Sequence, residues 1–452
     1  MFHLPRGRGR TAFRSIALAL VAGVLLVLPA PVAAAKPSFN RNPVLFVHGI
    51  EGSGAQFESQ KMRFTSNGYP QGWIDEVDYD STRAVGDKSE VDQQIDDAIA
   101  ALKQRTGKSK VDVVAHSLGT TVMYDYLTNG PDAARRRASV RRYVNVDGQA
   151  SNPGVTTLAV WAGRRAMGPH EKMPGAKNVT IPNQTHVQTC TSAESFVQYY
   201  KFLTGKRPAH DLVRQTGTIK IAGRLLDFPR NKGLAATLQV WRVNALGRRT
   251  TAAPRASLSV GGSGNWGPVA VEAGKRYEFD VVRPGVPAHH HYYEPFVRSD
   301  YAIRLLESDP ITAYAGNRPG SMGAVNIRYK ELWGDLGAQS DVLRINGLRV
   351  CNKILCPWEH QVNAFFAFDR NRDRKTDLSS PDPVLSNLPF IAGADVFIPA
   401  STTASGTTTF QLRSRGKGPV RTLKIPNWDS VTDAVTIQWK DFERTDAPPN
   451  DD

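Results

Sequence analysis

A strand that runs directly into a serine-centred turn, and then into a helix, constrains this fold more than any other feature of the sequence. The stretch reads Val111-Asp112-Val113-Val114-Ala115-His116-Ser117-Leu118-Gly119. Its apolar first half predicts a buried strand, and residues 118–129 predict a helix. Such a turn lifts a serine hydroxyl above the sheet edge, and it needs small residues such as Ala115 and Gly119 on either side. The sequence therefore predicts Ser117 as a nucleophile.

Strand-like and helix-like segments alternate through residues 43–207, which predicts an α/β layer structure. The predicted strands are residues 43–47, 111–115, 140–146 and 178–181, and the predicted helices are residues 91–102, 118–129 and 194–203. After residue 207 the pattern changes to short period-two strands separated by Gly, Pro and Asn turns. Many short strands without long helices predict one or two β-sandwiches.

These patterns divide the chain into four segments. We expect a signal peptide in residues 1–35, a catalytic α/β domain in residues 36–207, a β-sandwich domain in residues 208–295 and a second β-rich domain in residues 296–452. The last division follows a proline-containing seam and no internal repeat supports it, so it depends on the seam alone.

The first segment has the order of a secretory signal. Arginines precede the unbroken apolar run of residues 16–28, and the small residues Val32-Ala33-Ala34-Ala35 follow, so we expect cleavage after Ala35. The run of 13 residues is shorter than the ~20 that a membrane-spanning helix needs. We therefore expect a secreted protein whose mature chain has no transmembrane segment.

The charge balance indicates which partners to expect. The chain has 57 Lys and Arg against 42 Asp and Glu, and its formal charge is +15. A basic secreted protein is attracted to anionic surfaces such as phospholipid. Nucleic acid is not an expected partner, because no recognition motif accompanies the charge and the chain carries an export signal.

Three cysteines are too few for a disulfide framework in a chain of this length. Cys351 and Cys356 are close enough for a local disulfide, which would leave Cys190 unpaired. The alternative joins Cys190 to one of them and links the two halves of the chain. The sequence leaves both pairings open.

A serine nucleophile needs a base, and the base needs an acid that orients it. After such a turn the chain order is Ser, then Asp or Glu, then His. Asp147 ends the predicted strand of residues 140–146, and His186 follows the strand of residues 178–181 through a short loop. We therefore predict Asp147 as the acid and His186 as the base.

Acyl transfer also needs N–H donors for the oxyanion. Leu118 follows the nucleophile at the start of a helix, and Ile50 follows Gly49 in the loop after the first strand. We predict that these two backbone N–H groups are the donors. For the neighbouring His48 and His116 we expect packing and loop support.

The motifs His48-Gly49-Ile50 and Ala115-His116-Ser117-Leu118-Gly119 resemble those of the small bacterial triacylglycerol lipases of the α/β-hydrolase superfamily, and the resemblance covers residues 43–205. Residues 218–442 resemble the β-sandwich region of two-domain secreted lipases. The resemblance implies an α/β-hydrolase domain followed by an all-β region. It also implies that the protein hydrolyses acyl esters such as triacylglycerols at a lipid interface without a cofactor. It assigns the triad and oxyanion roles to Ser117, Asp147, His186, Ile50 and Leu118.

Other functions are compatible with the same residues. A polyester hydrolase or an acyltransferase would use the same triad, and a non-catalytic surface-binding protein could retain the scaffold. The complete set of triad and oxyanion residues argues against the last, because decay would have removed at least one of them. We expect residues 152–163 to border an acyl pocket or form a small flap, with a buried connecting helix as the alternative.

Two groups of side chains are candidate metal ligands. A calcium loop would use the oxygen ligands of Asp369, Asn371, Asp373 and Asp377. Arg374 and Ser380 stand where an EF-hand has Gly and Glu, so an ordinary polar loop is favoured. His289-His290-His291 is expected to be a solvated or packed loop, because neighbouring histidines cannot all face one ion. We expect no metal, with calcium as the weaker alternative.

Overall fold

The structure is a computed structural model that describes residues 39–84, 86–164, 172–415 and 418–441. The predicted signal peptide lies outside these residues. Within the described ranges, no helix combines the length and the apolar content that crossing a bilayer requires.

The first half of the described chain is a parallel sheet between two layers of helices. Its strands are β1 (Val44–Val47), β2 (Ile74–Val77), β3 (Val111–His116), β4 (Val140–Val146), β5 (Thr157–Ala162) and β6 (Lys177–Ile181). Its helices are α1 (Glu58–Ser66), α2 (Ser89–Thr106), α3 (Leu118–Thr128), α4 (Ala133–Ser139), α5 (His186–Thr191) and α6 (Ala193–Thr204). The strand order is β2-β1-β3-β4-β5-β6, and every pairing is parallel. This arrangement confirms the predicted α/β layer structure.

Apolar side chains cover both faces of this sheet. On one face, Leu45 and Val113 pack with residues of α2 and α3. On the other face, Phe46 and Val144 pack with residues of α1 and α6. A parallel strand covered on both sides has no solvent face, which is why β1 and most of β5 are continuous apolar runs in the sequence.

The prediction for residues 152–163 is wrong. They contain β5, which is buried at every position and pairs with β4 on one side and β6 on the other. None of these residues lines the cavity described below. The run of residues 158–162 is apolar throughout, so it shows neither a helical nor a strand period, and periodicity alone cannot distinguish a buried strand from a buried helix.

In the described part of the second half, the structure has three β-sheets, one short α-helix and a few 3-10 turns. Its strands are β7 (Thr218–Asp227), β8 (Lys232–Gly233), β9 (Ala236–Val243), β10 (Ala256–Val260), β11 (Asn265–Glu272), β12 (Arg276–Val282), β13 (Ala288–Tyr293), β14 (Asp300–Glu307), β15 (Ala324–Leu332), β16 (Val342–Ile345), β17 (Leu348–Arg349), β18 (Val362–Phe368), β19 (Ile391–Asp395), β20 (Thr407–Arg413), β21 (Val420–Pro426) and β22 (Asp433–Gln438), with helix α7 (Asp309–Ala315). The predicted β-rich architecture of this half is confirmed.

The longest sheet has the order β10-β9-β12-β13-β22-β15-β18-β19. A four-stranded sheet, β11-β7-β14 with β8 beside β7, shares one apolar core with it, and the sheet β17-β16-β20-β21 shares another. The long sheet takes strands from both sides of residue 295, because β13 pairs with β22. The division of this half at residue 295 stays a prediction.

The three adjacent histidines are not in a loop. His289, His290 and His291 lie on β13, and each is buried. Strand geometry sends His289 and His291 to one face and His290 to the other. Acidic side chains contact the rings on both faces, which lets polar residues occupy an interior strand.

The cysteines follow the first of the two pairings left open by the sequence. Cys351 and Cys356 form a disulfide, with Cα atoms 5.7 Å apart. Cys190 is a buried free thiol. The link is local, so it does not hold the two halves of the chain together.

Buried ion pairs join the two halves instead. Asp78, just after β2, contacts Nε of Arg304 at 2.9 Å and NH1 of Arg224 at 2.8 Å. Burial raises the pKa of Asp78, but the two guanidinium groups outweigh it and hold the pKa below its usual range. Lys440 pairs with both Glu58 and Asp300 in the same interface. Asp78 and Glu58 have their basic partners in the other half, so separating the halves would leave these two buried carboxylates without those partners.

Candidate active site

Ser117 lies in the turn between β3 and α3, with φ 55° and ψ −127°. Few residues other than glycine adopt a positive φ, and such strain persists only where the surroundings enforce it. The Ser117 N–H donates to the Val146 carbonyl oxygen at 3.1 Å. Its carbonyl oxygen accepts the Thr120 N–H at 2.9 Å and the Thr120 hydroxyl at 2.7 Å. The turn is therefore held at both ends.

Close packing around this turn explains its small residues. A Cβ atom on Gly119 would lie 2.7 Å from the Val47 carbonyl oxygen and closer still to that of His48. A Cβ atom on Gly49 would lie 2.8 Å from the Cβ atom of Ser117. The loop after β1 thus rests directly against the serine turn, and glycine is required where the two backbones meet.

We expect Gly119→Ala to destabilise the protein by about 2 kcal/mol or more, because forcing a methyl group into a full site has that cost. Alanine favours a helix over glycine by about 1 kcal/mol, but the new methyl group meets backbone atoms that cannot rotate away. Urea and thermal unfolding would measure the change. Gly72→Ala is the matched control, because its Cβ atom would meet only the Arg105 side chain at 3.6 Å. Equal midpoints for the two variants would contradict this account.

His186 and Asp147 form a hydrogen-bonded pair. Nδ1 of His186 donates to Oδ2 of Asp147 at 2.7 Å, and Oδ1 of Asp147 accepts the Ala162 N–H at 3.0 Å. Only 1% of the Asp147 side chain is exposed, against 18% for His186. A carboxylate can only accept, so Nδ1 carries the proton and Nε2 is left with a lone pair. This is the tautomer that a general base on the cavity side requires.

The loop before His186 is held by the β-rich half. Thr185 caps α5 by accepting the Gln188 N–H, and its hydroxyl donates to Oε1 of Glu331. The same oxygen accepts Nε1 of Trp333 at 3.0 Å and NH2 of Arg415 at 3.2 Å. Burial raises the pKa of Glu331 to about 7. Sequence reasoning missed this carboxylate, because it lies 146 residues from Thr185 and no local motif marks it.

His48 and His116 are uncharged at neutral pH. Burial lowers the pKa of His48 to about 4 and that of His116 to about 3. His48 stacks on Tyr79 with ring centroids 4.2 Å apart, and Nε2 of His116 donates to the His186 carbonyl oxygen at 2.9 Å. Both rings support backbone next to the serine turn, which agrees with the packing and loop support expected of them.

The two predicted oxyanion donors belong to segments that adjoin Ser117: Leu118 follows it in the chain, and Ile50 follows Gly49, which packs against it. Leu118 is the first residue of α3, where N–H groups have no partner within the helix. Ile50 is 41% exposed and lines the cavity. Its loop is a tight turn, in which the Gly52 N–H donates to the Gly49 carbonyl oxygen at 3.2 Å.

Ser117 and His186 open into one cavity of about 1300 Å³, a volume that includes its open mouth. Its lining comes from both halves of the chain. The β-rich half contributes apolar side chains from α7, β15, β18 and β22 and from the loop before β19, among them Ile311, Ala324, Phe366, Phe368, Phe390 and Val435. Such a cavity suits a long apolar group placed next to a nucleophile.

The three aspartates among the candidate calcium residues accept backbone hydrogen bonds within turns. Asp369 accepts the backbone N–H groups of Asp373 and Arg374, each at 3.2 Å, and Asp377 accepts that of Ser379 at 2.9 Å. Asn371 donates to Asp395 at 2.6 Å. Across the described ranges, no cluster of three or more His, Cys, Asp or Glu ligand atoms includes these aspartates. The arrangement is that of a hydrogen-bonded polar loop.

Comparison with known proteins identifies three matching families along the chain. Residues 41–146 match the lipase (class 2) family, residues 217–310 match the lipase C-terminal domain family, and residues 311–443 match a further family described as a C-terminal domain.

Several solved structures are also similar to the chain. A protein of Listeria innocua is 12% identical, with coverage of 38% of this chain and 97% of that one and a TM-score of 0.30. Aspergillus fumigatus lipase B is 11% identical, with coverage of 40% and 56% and a TM-score of 0.31. A carboxylesterase of Bacillus subtilis is 13% identical, with coverage of 37% and 86% and a TM-score of 0.27.

Proposed function

Because the chain is an α/β-hydrolase of the lipase and esterase group with a C-terminal domain, we propose that it hydrolyses long-chain acyl esters such as triacylglycerols, with Ser117 as the nucleophile. The observation that carries this proposal is the hydrogen bond between His186 and the buried Asp147, together with the position of His186 on the same apolar cavity as Ser117. The reaction needs an activated serine, a base in the correct tautomer and a dry acyl site.

In the first half of the reaction Ser117 is acylated. Nε2 of His186 takes the hydroxyl proton while Oγ attacks the ester carbonyl carbon, and the carbonyl oxygen becomes an oxyanion. The N–H groups of Ile50 and Leu118 stabilise this charge, each by ~3 kcal/mol. The bond to the alcohol oxygen then breaks, and the alcohol leaves with the proton from His186.

In the second half water replaces the alcohol. His186 takes a proton from a water molecule, and the hydroxide attacks the acyl carbon. The bond to Oγ of Ser117 breaks, the proton returns to Oγ, and the carboxylic acid is released. Asp147 stays ionised throughout and stabilises the imidazolium that forms twice in each cycle.

The cavity supports the long-chain preference. Aromatic and aliphatic side chains line it, and the β-rich half supplies many of them. Each methylene transferred from water into such a site contributes about 0.8 kcal/mol. This gain increases with chain length, so esters with a long acyl chain are favoured over short esters in this cavity.

The predicted export signal supports action on lipid outside the cytoplasm. Residues 1–35 have the order of a secretory signal. The disulfide between Cys351 and Cys356 fits an oxidising compartment. The net positive charge would hold the enzyme near anionic lipid surfaces, where the substrate is concentrated.

Hydrolysis of p-nitrophenyl butyrate, octanoate and palmitate tests the proposal. We expect kcat/KM to rise with chain length, by up to about fourfold per methylene while the chain fills the cavity. In Ala364→Trp, an indole added to the lining should lower the palmitate-to-butyrate ratio by about tenfold or more. Ala252→Trp is the control, because Ala252 is exposed and lies outside the lining.

Each outcome separates the alternatives. A peak at butyrate, unmoved by Ala364→Trp, would contradict the long-chain proposal and indicate an esterase or a polyester hydrolase. Faster acyl transfer to added glycerol than to water would indicate an acyltransferase. Failure of the wild type to turn over any ester while folded would contradict the enzyme proposal altogether.

A further inference from the structure

A cluster of two histidines and a glutamate lies inside the β-rich half, where two sheets meet. His289 and His291 are on β13, in the eight-stranded sheet, and Glu307 ends β14, in the sheet β11-β7-β14. All three are buried, with 6%, 1% and 3% of each residue exposed. Residues two apart on a strand face the same side, so both imidazoles point toward the one carboxylate.

The ligand atoms of this cluster are close together. Nδ1 of His289 lies 3.0 Å from Oε1 of Glu307, and Nε2 of His291 donates its proton to the same oxygen at 2.9 Å. That proton has to leave, or move to Nδ1, when Nε2 binds a metal ion, because metal ligands are deprotonated on binding. All three atoms lie within 4.8 Å of one another. Donors at 2.0–2.2 Å from a tetrahedral Zn²⁺ are about 3.3–3.6 Å apart, so small side-chain shifts would admit the ion.

Nδ1 of His289 is a buried nitrogen without an aligned hydrogen bond. It is near the Glu307 carboxylate, but the contact lacks hydrogen-bond geometry. The opposite nitrogen, Nε2, is hydrogen-bonded to the Thr436 hydroxyl at 2.8 Å. If Nε2 donates there, Nδ1 presents a lone pair next to carboxylate oxygen, and a cation would relieve that repulsion.

Outer contacts hold the ligands in place. Oε2 of Glu307 accepts NH2 of Arg283 at 3.1 Å, which leaves Oε1 for the cluster. Arg283 also pairs with Asp309, so its charge is balanced. Metal sites commonly fix their ligands with such hydrogen bonds.

The neighbouring cluster around His290 has a different character. Nδ1 of His290 lies 2.7 Å from Glu278, and Nε2 lies 2.9 Å from Asp433. Both nitrogens therefore donate protons to carboxylates, so this ring has no lone pair for a metal. Arg249 pairs with Glu278 as well. The His290 cluster is an ion-pair network.

We propose that Nδ1 of His289, Nε2 of His291 and Oε1 of Glu307 bind one Zn²⁺ that joins the two sheets. Two imidazoles and one carboxylate suit zinc, whereas calcium and magnesium select all-oxygen sites. His289 also lines the cavity that contains Ser117, which gives the ion an entry path and leaves its fourth position to a cavity-side oxygen.

Metal binding by the full mature chain tests the site without any measurement of hydrolysis. The protein is stripped with EDTA and titrated with Zn²⁺ against a chromophoric chelator, and the thermal unfolding midpoint is followed in parallel. We expect one tight equivalent and a higher midpoint with Zn²⁺. In Glu307→Gln and His291→Gln we expect an affinity loss of about 100-fold. His210→Gln removes an exposed imidazole and should bind as the wild type does.

Cobalt provides a readout on the wild type alone, should a variant fail to fold. Co²⁺ in a tetrahedral site with nitrogen and oxygen ligands gives visible absorption bands, which Zn²⁺ should displace with one equivalent. No tight equivalent in the wild type would overturn the proposal. Unchanged binding in folded Glu307→Gln and His291→Gln would overturn it too, because the zinc would then be bound elsewhere.

Discussion

Replacement of Ser117 by alanine is expected to lower kcat for p-nitrophenyl esters by about a millionfold, the scale seen when a triad serine is removed. The change deletes the only atom that forms the covalent bond in the proposed mechanism. Substrate binding and the oxyanion donors would remain, so a small residual rate over water is expected. Rates of p-nitrophenol release from the palmitate and butyrate esters, measured at saturating substrate, would give the loss in kcat.

The fold of Ser117→Ala should be intact. Alanine keeps the backbone hydrogen bonds of Ser117 to Val146 and Thr120, which do not involve Oγ. The unfolding midpoint should therefore match that of the wild type, while labelling by a fluorophosphonate probe disappears. If Ser117→Ala were labelled as strongly as the wild type, another serine would be the nucleophile, and the proposed mechanism would fail.

Asp147→Asn is expected to lower kcat by about 10⁴ at neutral pH, as a wrong imidazole tautomer does in a serine triad. The Ala162 N–H donates to Oδ1, so the asparagine oxygen should stay there and its NH₂ group should face His186. Nδ1 of His186 would then have to accept, which places the proton on Nε2. A protonated Nε2 cannot take the proton of Ser117.

Steady-state kinetics and NMR of the imidazole N–H together test this prediction. The rate should fall while KM changes little, because Asp147 is 1% exposed and does not line the cavity. Asp87→Asn, on an exposed loop, is the control for the loss of one carboxylate. More than a tenth of wild-type activity in Asp147→Asn would mean that another group orients His186.

Local patterns identified the elements that are defined by short stretches of chain. The strand of residues 111–116 and the helix of residues 118–128 end within a residue of their predicted limits. The turn between them has a chemical requirement for small residues, and the contacts of Gly119 explain it. Asp147 and His186 were predicted from their place after strands, and the structure has them in hydrogen-bond contact.

Other features have no local signal. β5 was missed because its apolar run is compatible with either period. The strand carrying His289, His290 and His291 looked like a loop, since polar residues are buried only when distant acids pair with them. Glu331 supports the loop of His186 from a strand far along the chain.

The sequence by itself determined the layer architecture of the first half, the β-rich character of the second and the order of serine, acid and histidine. These properties depend on side-chain period and turn chemistry over fewer than about ten residues, so short stretches of the sequence are enough to predict them. Only the tertiary structure decided the shape of the cavity, the interface between the halves and the convergence of His289, His291 and Glu307. These three features depend on contacts between residues that are far apart in the chain. Packing and the burial of charge decide which distant residues meet, and no local pattern in the sequence reports them.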